Sequence, residues 1–284
     1  MTQSRNLPSD FQFSQSSLQD FVDCPRRFEL KYLRELAWPA IEAEPVLEHE
    51  ELMRLGSRFH QLIHQYLSGV PAARLTQTIN QPDLARWWHN FLDNAPDLTG
   101  FQTHSEMALS APLGERRLIA KYDLLALKPG NKALIIDWKT TRKKTPRKWL
   151  RERMQTSVYP FILVQAGAKL NSGEAIQPEQ VEMMYWFPEA PSEPERFSYN
   201  SQQYALDHER LTGLAEQIFA LSKNEGQNQF RLTADERRCR FCVYRSLCAR
   251  GKKAGDLNDM NDMLPHDEEL IFELDFEQIG EVEY

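Results

Sequence analysis

The apolar and polar positions of this chain change period along its length, and each change marks an element. Leu18, Phe21 and Val22 form the stripe of a helix that opens at Ser14 or Ser16, either of which suits an N-cap. Cys24-Pro25 interrupts it. A second helix, from about Pro25 to Leu36, turns Phe28, Tyr32 and Leu33 inward, with proline at a comfortable first position. Residues 1–13 read as a flexible lead, and the Pro- and Glu-rich residues 37–49 as a loop. Helical spacing returns over Glu50–Leu67 and Pro82–Leu92, with a linker from Pro71 to Asn80 between them. Trp87, Trp88 and Phe91 belong to the predicted core rather than to a base-stacking surface.

The period then shortens. His104–Ala111 and Arg117–Leu127 read as strands, and the turn Lys128-Pro-Gly-Asn131 joins the second to a buried strand, Ala133-Leu-Ile-Ile-Asp-Trp-Lys-Thr140. A helix over Arg147–Leu163 carries Pro160, where a kink is expected. Val181–Pro188 is a fourth strand, followed by a Pro/Glu loop to about Tyr199 and an amphipathic helix over Ser201–Lys223. Strands in this order, with helices before, between and after them, predict an α/β fold with one central mixed sheet flanked by helices.

The 284 residues, 41% hydrophobic, suit one large domain or two small ones. No apolar run is long enough to span a bilayer, and the first residues lack a signal peptide's apolar centre. A soluble cytoplasmic protein is expected. The net charge of −7 conceals an asymmetry: Lys253–Tyr284 carries −10, leaving +3 on the 252 residues before it. An anionic partner therefore suits the body of the chain. Lys139, Arg142, Lys143, Lys144, Arg147, Lys148, Arg151 and Arg153 fall within fifteen residues against the single acid Glu152. Such a run is either a solvated face or a phosphate-backbone track.

The chemistry concentrates at the end of the buried strand. Asp137 and Lys139, two apart, point to one side, and the preceding hairpin brings Asp123 beside Asp137. A surface salt bridge is the plain reading of Asp137-Trp138-Lys139 alone. Two converging carboxylates repel unless a cation sits between them, and hard oxygen ligands suit Mg²⁺ or Mn²⁺. An ion there would activate water against a phosphodiester, with Lys139 orienting the nucleophile or stabilising the transition state. His60 and His64 share a helix face, each either a packed histidine or a ligand. Glu106 is either a further acid of the site or an edge carboxylate. Gln155 and Tyr159, four apart, stack on one helix face.

Of the four cysteines, Cys239, Cys242 and Cys248 form C-x-x-C-x₅-C, and Cys24 lies over 200 residues away. Four thiolates suit structural zinc or a [4Fe–4S] cluster, and would pin the N-terminal helix to the C-terminal segment.

Assembled in order, these motifs resemble the RecB-type PD-(D/E)XK nucleases, specifically the iron–sulfur branch that includes the CRISPR-associated adaptation exonucleases and AddB-type nucleases. The likeness spans Ser14 to Ala249. It rests on Cys24-Pro25 after a helix, Gly56-x-x-x-His60, Ala120-x-x-Asp123, Asp137-x-Lys139, Gln155-x-x-x-Tyr159 and the terminal cysteine motif. Ala120 stands where the family usually has glycine.

The resemblance implies a restriction-endonuclease-like core in one nuclease domain over residues 14–252, with an acidic tail over 253–284. It implies that Asp123 and Asp137 hold Mg²⁺ or Mn²⁺ with His60 and the Trp138 carbonyl, and that Lys139 assists the nucleophile. Gln155 and Tyr159 would support the site or contact the DNA backbone. Cys24, Cys239, Cys242 and Cys248 would hold [4Fe–4S] in preference to zinc. The implied activity is a metal-dependent DNA exonuclease on single strands or ends, in repair, recombination or CRISPR adaptation. The alternative is a non-cleaving DNA-end-binding subunit of a helicase–nuclease or integration complex. The sequence shows no phosphate-binding loop of a helicase motor, so either unwinding comes from a partner or the substrate is single-stranded DNA or an end; a helicase or an integrase is the kind of protein partner considered. The tail, acids alternating with apolar residues, is read as a solubilising segment, a partner-docking element or a mimic of DNA in the chain's own groove.

Overall fold

The computed structural model describes residues 6–8, 10–36, 46–223, 229–240 and 242–250. The acidic tail and most of the expected 37–49 loop lie outside them. The fold starts with a strand rather than with a loose lead. β1 (Gln12–Ser14) pairs in parallel with Arg117–Ile119, and Leu7 and Phe13 are buried. Burying these apolar side chains draws the end of the lead into the sheet. Ser14 then caps α1 (Gln15–Asp23). Its hydroxyl oxygen accepts from the Ser17 N–H at 3.1 Å, and Ser17 Oγ accepts from the Ser14 N–H at 2.9 Å, a reciprocal capping box.

α2 (Pro25–Phe28) continues as one π-helical turn over Glu29–Leu33, short of the expected Leu36. α3 (Val46–Leu67) begins inside the segment expected to be loop, and the expected Pro71–Asn80 linker contains α4 (Ala72–Thr76). α5 is Pro82–Asn94. β2 (Gln102–Leu113), β3 (Arg116–Lys128) and β4 (Lys132–Trp138) form an antiparallel meander.

The helix expected over Arg147–Leu163 is two helices, α6 (Arg147–Glu152) and α7 (Met154–Ala166), divided where Arg153 turns extended at ψ 140°. α7 runs on through Pro160. This crossover brings β5 (Val181–Trp186) parallel to β4, and β6 (Glu195–Ser198), inside the expected Pro/Glu loop, closes that edge antiparallel. α8 (Ser201–Lys223) follows.

The result is a mixed sheet ordered β1-β3-β4-β5-β6, with β2 on the other edge of β3. Each face has its own apolar core. On one, Ala133 and Ile135 of β4 pack with Leu18 and Phe21 of α1, Val158 and Phe161 of α7 and Leu211 of α8. On the other, Leu134, Ile136 and Trp138 pack with Phe59 of α3 and Trp87, Trp88 and Phe91 of α5. Strand alternation divides β4 between the layers. A sheet covered by helices on both faces is the restriction-endonuclease-like arrangement expected.

Candidate active site

β1 and β4 share one edge of β3, since β2 occupies the other along both stretches. β1 pairs with residues 117–119 and β4 with residues 124–128. Asp123 lies at the upper end of the gap between them. The alternation of β3 switches there: Leu118, Ala120 and Tyr122 face the α1/α7/α8 core, and Leu124 and Ala126 face the α3/α5 core. In the β2–β3 register Glu106 stands opposite Asp123, and this is the one position that the ladder skips. Glu106 has φ +55°, a left-handed conformation that costs a non-glycine residue energy and recurs at functional sites. The distorted backbone thus presents two acids side by side.

α3 supplies the histidine. His60 Nδ1 lies 3.3 Å from Asp123 Oδ1, and His60 Nε2 donates to the Trp138 carbonyl at 2.8 Å. The Trp138 amide donates to Asp123 Oδ2 at 2.9 Å. Gly56, one turn before His60, lets the helix come this close. A Cβ there would lie 2.6 Å from Thr140 Oγ1, just past the end of β4. Burial alone would lower the His60 pKa, but the Asp123 carboxylate beside it outweighs that and raises it to about 9. Burial works to raise Asp123, and the His60 charge with the His60 and Trp138 hydrogen bonds holds it below the usual carboxylate range.

Among the described residues, His60, Glu106 and Asp123 have donor atoms within 4.8 Å of one another. Asp137 is not part of that set. Its carboxylate, 4% exposed, receives Lys139 Nζ at 3.1 Å and Gln155 Nε2 at 2.5 Å. The two acids are adjacent as expected, with one turned to the histidine and the other to the lysine. Gln155 Oε1 is buried with no hydrogen-bond partner, an orphaned acceptor that a water held by a cation would satisfy. A histidine whose Nε2–H is fixed by a carbonyl, two carboxylates and an orphaned acceptor fit a hard divalent cation.

The other expected residues fall as follows. Tyr159 is buried on α7; its carbonyl accepts the Tyr122 O–H at 2.9 Å, and the two rings lie 4.8 Å apart between centroids. His64 turns away to Ser105 Oγ at 2.8 Å. Glu106 pairs with Lys121, as an edge carboxylate would, and also lies beside His60 and Asp123. The basic run is only partly a track. Lys144 and Arg147 are neutralised by Glu195 at 2.8 and 2.9 Å, and Arg153 is buried. Arg142, Lys143, Lys148 and Arg151 remain exposed. Sequence reasoning missed Thr140, whose contact with Gly56 no local pattern marks.

Cys24, Cys239, Cys242 and Cys248 line one small pocket, partly open to solvent, together with Arg27, Arg238 and Arg245. Burial, and then the charge of Cys24 and Cys248, pushes the Cys239 thiol up. Burial and Cys24 do the same to Cys248 against the opposing charge of Arg26. Thiols gathered in this way need a positive centre to ionise together, so the donor set fits a metal group.

A sheet layered between helices, with acids on adjoining central strands and a lysine just past the end of one, defines a restriction-endonuclease-like core with a candidate divalent-metal site. Over residues 12–249 the chain matches the PD-(D/E)XK nuclease superfamily, and it belongs to that superfamily. Among curated proteins none matches it. The fold is similar to that of a protein from Eubacterium rectale named "Putative exonuclease", with 9% identity over 90% of this chain and 94% of that one and a TM-score of 0.50. The crystal structure of SSO0001 aligns at 16% identity over 83% of this chain and 86% of that one, with a TM-score of 0.39.

Proposed function

We propose that the protein is a metal-dependent deoxyribonuclease, an exonuclease that acts on single-stranded DNA or DNA ends in repair, recombination or CRISPR adaptation. The carrying observation is the convergence of His60, Glu106 and Asp123 within 4.8 Å, next to the buried Asp137–Lys139–Gln155 group. His60, Asp123 and Asp137 hold Mg²⁺ or Mn²⁺, and Glu106 completes the acid set. When bound, the ion activates water and offsets charge on the phosphoryl oxygens.

The chain's own residues do the rest. His60 keeps Nδ1 toward the acids because its Nε2–H is tied to the Trp138 carbonyl. Gln155 fixes the Asp137 carboxylate by donating to it. Lys139, 7% exposed and held by Asp137, would orient the attacking water or offset the developing phosphorane charge. The exposed Arg142, Lys143, Lys148 and Arg151 would offer charge to the phosphate backbone.

In the cysteine pocket we assign [4Fe–4S] over zinc. What supports this is the resemblance of Cys24 and the C-x-x-C-x₅-C motif to the iron–sulfur nucleases, where a cubane takes each thiolate on a different iron.

The test is cleavage of 5′- and 3′-labelled single- and double-stranded DNA by anaerobically prepared protein with Mg²⁺ or Mn²⁺. Stepwise shortening from an end supports the reading. Tight DNA binding without cleavage favours a non-cleaving end-binding subunit.

A further inference from the structure

The first turn of α7 carries Gln155, which holds Asp137, but it has no side-chain cap of its own. Arg153 precedes it in extended conformation without a capping hydrogen bond. The leading amide, Met154 N–H, instead donates to Gln19 Oε1 on α1 at 2.9 Å. An amide N–H can only donate, so Gln19 must turn its oxygen to α7. That aims its Nε2 at Asp23, where it donates to Oδ1 at 2.9 Å. Asp23, buried at the end of α1, receives Arg27 at 2.9 Å and also Arg238. Both arginines line the thiol pocket, and Cys24 and Cys239 are the next residues to Asp23 and Arg238. Polar contacts therefore run without a gap from the thiol pocket to the helix that holds Asp137.

We propose that Gln19 is a positioning residue that couples the cysteine site to Asp137, capping α7 with its oxygen and gripping Asp23 with its nitrogen. Few side chains can do both. Leucine does neither, and glutamate keeps the acceptor but sets a second carboxylate against Asp23. The cysteine site is then more than a staple between the chain's ends. A shift of the Cys239 segment moves Arg238, then Asp23, Gln19 and the turn that aims Gln155. The catalytic meaning of this coupling rests on the nuclease reading, but the coupling itself does not.

The experiment is a double-mutant cycle of Gln19→Leu and Arg238→Met, with Gln19→Glu as the conservative variant. It reads amide exchange of Met154 and, separately, kcat and KM for DNA cleavage. Gln19→Leu is expected to speed Met154 exchange by roughly fivefold or more, the scale of one lost helix cap, and to lower kcat with KM little changed. Arg238→Met is expected to speed the same exchange without touching α7, and the double variant to exchange no faster than Gln19→Leu alone. Gln19→Glu should stay nearer to wild type than Gln19→Leu in both readouts. Unchanged Met154 exchange in Gln19→Leu, or fully additive effects in the double variant, would overturn the proposal. If the wild type cuts no DNA, the nuclease reading fails while the exchange cycle still decides the coupling.

Discussion

His60 Nε2 and the carbonyl oxygen of Trp138 lie 2.8 Å apart, although 78 residues separate them in sequence. Trp138 also gives its amide to Asp123 Oδ2 at 2.9 Å. One residue at the end of β4 thereby orients both a histidine from α3 and a carboxylate from β3. Its indole is buried in the α3/α5 core, so packing on that face fixes the position of both groups.

Metal affinity should depend on pH through His60. In ion-free protein burial opposes the imidazolium and Asp123 favours it, with a net rise to about 9. Below that pH a cation must expel the His60 proton to bind. Apparent Mn²⁺ affinity is expected to climb about tenfold per pH unit from pH 7 and to level off above about 9. Calorimetric titration across that range checks it, and His60→Gln should flatten the profile. The sign for stability is the reverse: the His60–Asp123 contact stabilises ion-free protein fully below the ordinary histidine pKa and loses this effect as pH rises through about 9.

Removing Lys139 should cost stability as well as activity. Asp137 is 4% exposed, and a buried carboxylate stripped of its cation is expensive, on the order of 3 kcal/mol. Lys139→Ala is therefore expected to melt several degrees lower, with Mg²⁺ restoring part of the loss by supplying positive charge. Thermal melts with and without Mg²⁺ read this. A melt that neither the substitution nor the ion alters would contradict the placement of Lys139 against Asp137.

Glu106→Gly should trade function for stability. Glycine relieves the φ +55° conformation and removes a carboxylate facing Asp123. A gain of about 1 kcal/mol would raise the melting temperature by about 2–4 °C. Mn²⁺ affinity should fall by at least tenfold with the loss of a ligand. Melting and Mn²⁺ binding measured together on one preparation separate the two effects.

Gly56→Ala should displace His60 through Thr140. The added Cβ would stand 2.6 Å from Thr140 Oγ1, so α3 or Thr140 must yield, at a cost of about 1–3 kcal/mol. Adding Thr140→Ala removes the clashing hydroxyl and should recover most of the lost stability and metal affinity. If the double variant is no better than Gly56→Ala, the close approach is not what requires glycine there.

The fold was legible where one period held over a long run. The meander and its turn at Lys128–Asn131 appear as read, and so does the buried face of α5, because alternation and helical stripes report burial directly. What escaped depends on tertiary contact. β1 is three residues long, and only pairing with β3 reveals it. The break at Arg153 lies in a segment of uniform helical character.

The acids, lysine and glutamine of the site were legible as motifs, and the structure seats them together. Less legible was the division of labour. Sequence spacing set Asp123 and Asp137 side by side, but the switch in β3 and the strained Glu106 decide that Asp123 turns to the histidine and Asp137 to the lysine. The pairing of Lys144 and Arg147 in the basic run was not legible, because their partner, Glu195, lies on a strand that alternation did not reveal.

In the proposed reaction a cation held by His60, Glu106, Asp123 and Asp137 works with Lys139 to cut DNA. Mn²⁺ binding and cleavage of labelled DNA, measured on the same preparations of wild type and Lys139→Ala, test it most directly. Both proteins are expected to bind Mn²⁺, and only the wild type to degrade DNA. Cleavage by Lys139→Ala at the wild-type rate, or a wild type that binds both Mn²⁺ and DNA and leaves the strand intact, would contradict it.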